Sequence, residues 1–554
     1  MANIASLLKA QLATPERALY RQFIEGAWRD IAAGEIAAYA ARWQAFMRAE
    51  GMARGDRVAL CLKNGVHWVA ADLAALGLGL VVVPLYADDN PENVAWCLEN
   101  SGARLLLAES SRMIAALARP GASRPPRILC LAADPGSTDN TVDAALPKDA
   151  GAFEVVSLQD GDLATICYTS GTVGKPKGVM LTHDNILANV VACQRLRIAR
   201  GDDLFLSLLP LSHMFERTGG YYLPLSLGAK VAYARSVSQL AEDLASQRPT
   251  VMFAVPRVFE KFAVRVEEAL ARSPVKRRLF KIVAAAGGRA VRGEAGLLDR
   301  LVLALLRARV AGPVLARLGG RMRLAVLGGA PLDPSIAWLF IGLGLPVLQG
   351  YGMTEASPVI SVNRPESNVP ESVGAPLENV EVKIAQHGEL LARGPSIMKG
   401  YWNNPEASAK SLDGEGWLHT GDLAEIRDGR IFIRGRLKDV LVLSNGEKLP
   451  PQDVELAILG DQIFEQAILV GEGRPFLTLV TVTRETDEKN LIQRANARLK
   501  EFPRYVRVRR VVASREPWTV DNGMLTPTMK VRRERVQKRF DPEIERTYAS
   551  GALD

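Results

Sequence analysis

Residues 168–183 read YTSGTVGKPKGVMLTH, and their side chains are those that a polyphosphate needs. Gly171, Gly174 and Gly178 let the backbone bend and present N–H groups without Cβ interference. Thr169, Ser170 and Thr172 add hydroxyl donors, while Lys175 and Lys177 add charge that can follow the β- and γ-phosphates. The loop is not a P-loop. The pattern GxxxxGK(S/T) would require glycine at Thr169 and a hydroxyl residue at Pro176, where that hydroxyl holds Mg2+. A P-loop kinase or ATPase is therefore not expected. Beyond the loop, Thr182-His183-Asp184 can cap a helix whose Ile186, Val190 and Val191 face a core.

Further short motifs follow. They are Gly328-Gly329-Ala330-Pro331-Leu332, then QGYGMTE at 349–355, GWLHTGD at 416–422, GRLKD at 435–439 and LTPTMK at 525–530. Taken singly they say little: GGAPL is a strand-to-helix turn, Glu355 a surface carboxylate and Lys530 one cation in a basic tail. Taken together and in this order, the sequence resembles the AMP-forming adenylating enzymes. That superfamily comprises acyl-CoA synthetases, firefly luciferase and peptide-synthetase adenylation domains, and the resemblance spans nearly the whole chain.

The resemblance implies a role for each motif. Thr169 to Lys177 would hold the phosphates of ATP. Gly329 and Ala330 would lie against adenine, with Tyr351 stacked on it and Gly352 beside it. Thr354 would bond the α-phosphate, and Glu355 with Thr169 would hold Mg2+. Asp422 and Arg436 would take the ribose hydroxyls, since a carboxylate can accept two hydrogen bonds at once. Lys530 would be the catalytic lysine that bridges substrate carboxylate and α-phosphate. Lys438 would be the hinge of a rotating C-terminal domain, and Gly446 would lie beside the pantetheine arm of CoA. Gly435 stands where family members often have Asp, which leaves the fine control of the hinge open.

LPLSHMFER at 209–217 resembles a stretch of long-chain fatty acyl-CoA synthetases. By that resemblance His213 and Phe215 line the acyl site. The implied reaction is ATP-dependent conversion of a fatty acid to acyl-adenylate and then to acyl-CoA, with release of AMP and pyrophosphate. A fatty acyl-AMP ligase or acyl-carrier-protein synthetase, passing the acyl group to a carrier protein, is the alternative. No fused carrier domain is expected, because the chain ends soon after Lys530. A nucleotide sensor on the same fold would not need Lys530, and nucleic acid is not an expected partner.

These motifs need a scaffold of some size. The 554 residues are too many for one core, so two or more domains are expected. Apolar strands alternate with amphipathic helices, an α/β pattern with largely parallel strands. The expected fold is a large N-terminal domain of layered α/β subdomains at 1–435 and a small mobile α+β domain at 436–554. A basic helical region is expected at 490–540. The apolar run at 68–87 carries Asp72 and Pro84 and reads as a buried helix–strand unit rather than a membrane span. The tract 265–323 reads as a packed helix pair whose basic face is solvated or meets anionic lipid. The net charge of +8 favours acidic partners such as nucleotides, coenzymes or anionic membrane. Five scattered cysteines and an N-terminus without a long apolar run point to a cytoplasmic protein with reduced thiols.

Overall fold

The computed structural model describes residues 3–551 except 118–124, 126, 136, 138, 160, 170–174, 272 and 527–528. The chain divides into two compact units. The first holds Met1–Thr169, Lys175–Glu381 and Ala392–Leu418, and the second holds Val382–Leu391 and His419–Asp554. The expected boundary at 435/436 falls inside the second unit, where strand Arg430–Arg436 meets the short turn Leu437–Asp439.

Two sheets frame the first unit. The seven-stranded sheet runs Gly400–Tyr401, Lys177–Thr182, Leu163–Thr169, Val81–Pro84, Arg57–Cys61, Leu105–Ser110, Arg127–Ala132. Its pairs from Leu163–Thr169 to Arg127–Ala132 are parallel, and apolar runs buried on both faces form them. The nine-stranded sheet is parallel through its middle, in the order Val347–Gly352, Leu324–Leu327, Val251–Ala254, Leu204–Ser207, Lys230–Tyr233, Ala18–Ile24. The run at 68–87 is helix Val66–Gly77 followed by strand Val81–Pro84, and both are buried. Among the described residues no helix is long and apolar enough to cross a membrane. All five cysteines are free and buried.

Three expectations of detail change. The helix after the loop is His183–Arg195, with Thr182 accepting from the Asn185 N–H as its cap. Ile186 and Val190 are buried, but Val191 is exposed, because one residue turns a helix by about 100°. The tract 265–323 is three helices, Pro256–Ala271, Pro274–Val291 and Leu297–Ala316, rather than a pair. Ser273 caps the second, and Pro274 starts it. The basic stretch 490–540 is not continuously helical. Strand Val508–Ser514 runs through it, parallel to Leu477–Val482, and buries Val508, Val511 and Val512. The charge pattern concealed the strand's apolar contribution.

The second unit contains most of a four-stranded sheet ordered Glu381–Ile384, Glu389–Arg393, Leu418–Arg427, Arg430–Arg436. A three-stranded sheet, Gln466–Val470, Leu477–Val482 and Val508–Ser514, packs against helices Pro451–Leu459, Glu488–Arg498 and Arg533–Ser550.

Charged groups deep in the first unit are cross-linked. The guanidinium of Arg217 pairs with Asp72, both fully buried. Arg217 also donates to the Tyr222 hydroxyl at 2.8 Å and to Thr165 Oγ1 at 2.8 Å, and Tyr222 donates to Asp72 at 2.9 Å. Burial raises the pKa of Asp72, while the guanidinium and hydroxyl donors oppose that rise.

Neighbouring Glu216 differs. It is fully buried, and its carboxyl oxygens make no hydrogen bond of normal geometry to a described residue. Burial pushes its pKa up to about 8, partly offset by the Ser207 hydroxyl. Between the ordinary carboxylate range and about pH 8, the native state keeps a proton that the unfolded chain releases. Stability must therefore fall as pH rises through that window, by about 1.4 kcal/mol per unit. Glu216→Gln removes the titration. Thermal unfolding should show the variant gaining on the wild type from about pH 5 to 8. Parallel stability curves across that range would refute the assignment.

Candidate active site

The strands on either side of the loop, Leu163–Thr169 and Lys177–Thr182, pair antiparallel. Tyr168 pairs with Gly178 and Thr169 with Lys177. Ser170, Gly171, Thr172 and Gly174 lie outside the described residues. The hairpin's flanks are held by aromatic side chains. Lys175 Nζ lies 3.8 Å from the centroid of the Trp96 ring, and Trp96 Nε1 donates to the Pro176 carbonyl at 3.2 Å. Such contacts attract a cation to the face of the ring. Gly178 lies on the strand, and a Cβ there would lie 2.7 Å from Ile166 Cγ2, so the glycine permits strand packing.

Lys177 leads to the next group of residues. Its Nζ lies 5.1 Å from the centroid of the Tyr401 ring, and the Tyr401 hydroxyl donates to Glu355 Oε1 at 2.8 Å. Glu355 is nearly buried in the turn Thr354–Ala356, directly after strand Val347–Gly352. The Met398 N–H donates to its carbonyl at 2.9 Å. Gly352 is obligatory for this turn, because a Cβ would lie 1.9 Å from the Pro358 carbonyl oxygen. Thr169, Lys177, Tyr401 and Glu355 thus form a connected series across the edge of the sheet. A carboxylate has about four lone-pair sites. Glu355 therefore keeps acceptor capacity for a hard divalent cation after accepting from Tyr401, and the Thr169 hydroxyl is the kind of neutral oxygen that completes such a site.

The turn after strand Leu324–Leu327 is tied to the same strand end. The Leu332 N–H donates to Gln349 Oε1 at 3.1 Å. Gly329 and Ala330 are exposed at the turn's tip, and Tyr351 is half-buried on strand Val347–Gly352. Phe215 packs beneath, 3.2 Å from where a Gly328 Cβ would stand, with its ring 5.4 Å from that of Phe253. His213 is half-buried, and its Nδ1 accepts from the Phe215 N–H at 3.2 Å. The turn expected at adenine and the segment expected at the acyl chain therefore share Phe215.

The remaining candidates belong to the second unit. Asp422, nearly buried on strand Leu418–Arg427, faces Arg436 across the ladder, with Arg436 Nε 3.2 Å from Asp422 Oδ1. Glu389 positions this segment: one oxygen accepts from the Gly421 N–H at 2.9 Å and the other meets His419 Nδ1 at 2.9 Å. Lys438 sits in the turn Leu437–Asp439, where burial and Arg436 lower its pKa. Gly446 turns a small hairpin with φ +86°, a conformation that favours glycine, and open space lies where a Cβ would stand. Lys530 is exposed; its N–H donates to Thr526 Oγ1 at 3.0 Å and its carbonyl accepts from the Thr526 N–H at 2.8 Å. Three residues on, Arg533 donates twice to Glu455 at 2.7 Å and anchors the final helix.

Tyr401 and Glu389 were not candidates from sequence. KGYW and GELL carry no chemical pattern of their own, and only the pairing of distant strands shows what these side chains hold.

Residues 9–402 match the model of the AMP-binding enzyme family, and residues 438–552 match the C-terminal domain of AMP-binding enzymes. A long-chain-fatty-acid–CoA ligase of Mycobacterium bovis is 30% identical over 595 residues, covering 99% of this chain and 97% of the relative. The peroxisomal long chain acyl-CoA synthetase 7 of Arabidopsis thaliana is 30% identical, covering 90% and 79%. In fold, the ATP-bound MatB of Rhodopseudomonas palustris aligns with a TM-score of 0.75 at 22% identity, over 97% of this chain and 98% of that one. With both family domains matched in order and a full-length relative at this identity, the chain belongs to the AMP-binding enzymes, the adenylate-forming family that includes acyl-CoA synthetases.

Proposed function

We propose that the protein activates a long-chain fatty acid with ATP and transfers the acyl group to CoA. The observation that carries this reading is the series Thr169–Lys177–Tyr401–Glu355, which brings hydroxyl, ammonium and carboxylate groups together at the end of one strand pair. Full-length similarity to long-chain ligases supports the choice of acid and thiol.

In the first step a carboxylate oxygen attacks the α-phosphorus of ATP, and the bond to pyrophosphate breaks. Two anions must approach each other, so positioning and fixed positive charge do most of the work. Lys530 would hold the substrate carboxylate against the α-phosphate, Thr354 would donate to that phosphate, and Lys175 and Lys177 would follow the departing phosphates. Mg2+, held by Glu355 and Thr169, would supply further positive charge to the polyphosphate. Tyr351, Gly352, Gly329 and Ala330 would take adenine, and Asp422 with Arg436 the ribose. In the second step the CoA thiol attacks the acyl carbonyl, loses its proton, and AMP leaves. We infer that the chain turns about Lys438 between the steps, dividing it into working domains at 436, so that Gly446 replaces Lys530 near the reacting atoms. His213 and Phe215 would border the acyl chain. A cytoplasmic location with peripheral contact at an anionic membrane surface fits a substrate of this kind.

AMP release with acids from short to very long, with and without CoA, tests the reading. It should peak with long chains and require CoA. Acid-dependent pyrophosphate exchange without CoA-dependent turnover would assign the acyl group to a carrier protein instead.

Two variants test the roles. Lys530→Ala should lower adenylate formation by about 100-fold or more while sparing thioester formation from supplied acyl-AMP. An equal fall in both half-reactions with the fold intact would rule out that role. Tyr401→Phe removes one hydrogen bond to Glu355 and should raise the Mg2+ concentration needed for half-maximal adenylation several-fold, with unchanged thermal stability. An unaltered Mg2+ titration would leave Tyr401 a packing residue.

A further inference from the structure

Helix Leu297–Ala316 turns leucines outward. Leu297, Leu298, Leu301 and Leu305 are 85%, 79%, 56% and 61% exposed. At about 100° per residue these four positions fall within one arc of about 100°. On the same helical projection Arg309 borders the arc on one side and Arg300 on the other. The helix packs through its C-terminal half: Ala311 is buried with Phe280 and Leu343, and Val310, Val314 and Leu315 are partly buried beside them. This helix does not need its outer leucines for its own core.

Charge is gathered at the same place. Residues 274–317 contain ten arginines and lysines and two acidic residues, a net +8 that equals the charge of the whole chain. The rest of the protein is therefore formally neutral. The two acids are already engaged, Asp299 by Arg289 and Glu294 by Arg292. A second copy of the chain could cover the leucines, but a two-fold contact would set this cationic surface against itself. An anionic bilayer satisfies both features at once. Leucines enter the acyl region, and arginines reach back to the phosphates with their apolar stems buried.

We propose that helix Leu297–Ala316 lies in the plane of an anionic membrane, with Leu297, Leu298, Leu301 and Leu305 inserted below the lipid phosphates. This goes beyond a solvated basic face that lipid attracts by charge. The contact has a salt-sensitive part from the arginines and a salt-resistant part from the leucines. It refines the membrane contact included in the functional reading by naming the surface that makes it.

The test uses the full chain without substrates, so its outcome is separate from that of the ligase reading. Cosedimentation is measured with vesicles of phosphatidylcholine alone and of phosphatidylcholine mixed equally with phosphatidylglycerol, at low and high salt. Binding to the mixed vesicles is expected, weakened but not abolished by high salt. The triple variant Leu298→Ser, Leu301→Ser, Leu305→Ser should lose about tenfold or more of that binding, with thermal unfolding unchanged. Leu298→Cys carrying a polarity-sensitive dye gives a second readout that does not rest on the triple variant. Labelling is selective because the five natural cysteines are buried, and the dye's emission should shift to the blue on mixed vesicles. A triple variant that folds and binds like the wild type, or a dye that stays in water while the protein binds, would overturn the proposal. So would concentration-dependent dimerisation that the triple variant abolishes in a protein that ignores vesicles, because the face would then belong to a second copy.

Discussion

The chemistry of the first unit hangs on a buried pair of opposite charges. Arg217 and Asp72 have no solvent-exposed side-chain surface, and each is hydrogen-bonded beyond the other. Taking two such groups out of water is costly, and either one left alone would be strongly destabilising. The pair is tolerable because Tyr222 and Thr165 join it in a satisfied network. The pair also links three places in the chain. Asp72 lies on a buried helix, Thr165 on the strand that ends at Thr169, and Arg217 just beyond His213 and Phe215. Within this unit the segments at 163–169 and 213–217 cannot shift independently without exposing or unpairing a charge.

A second layer of groups acts at one remove. Glu355 is aimed by Tyr401, the segment that carries Asp422 is held by Glu389, and the helix after Lys530 is anchored by Arg533 on Glu455. Glu455 also accepts from the Leu469 N–H at 2.6 Å, so the anchor joins helix to sheet. Each of these contacts restrains a side chain or backbone segment before any substrate arrives. That is how a site working mainly by positioning avoids reorganisation during reaction.

The family assignment and the surface make separate demands on the sequence. Membership in the AMP-binding enzymes explains the order of the motifs. It does not explain why one helix of the cationic segment 274–317 turns leucines outward between arginines. Buried apolar residues elsewhere in the chain serve cores, whereas these four serve a boundary, because their own helix packs through Val310, Ala311, Val314 and Leu315.

The α/β class and the helix cap at Thr182 were legible in residue order alone. Each depends on neighbours within a few positions: alternation of apolar runs, a side chain capping the N–H three residues on. The motifs of the resemblance were equally readable, since each is a short contiguous string. Other features were decided by tertiary structure. Arg217 meets Asp72 across 145 positions, and Tyr401 meets Glu355 across 46. Val191 and Leu298 are exposed because no neighbouring element covers their side of the helix, and Val508–Ser514 is a strand because Leu477–Val482 offers it a ladder. Local pattern sets what a segment can become. Which faces are covered, and which distant charges meet, depends on partners that a local pattern does not identify.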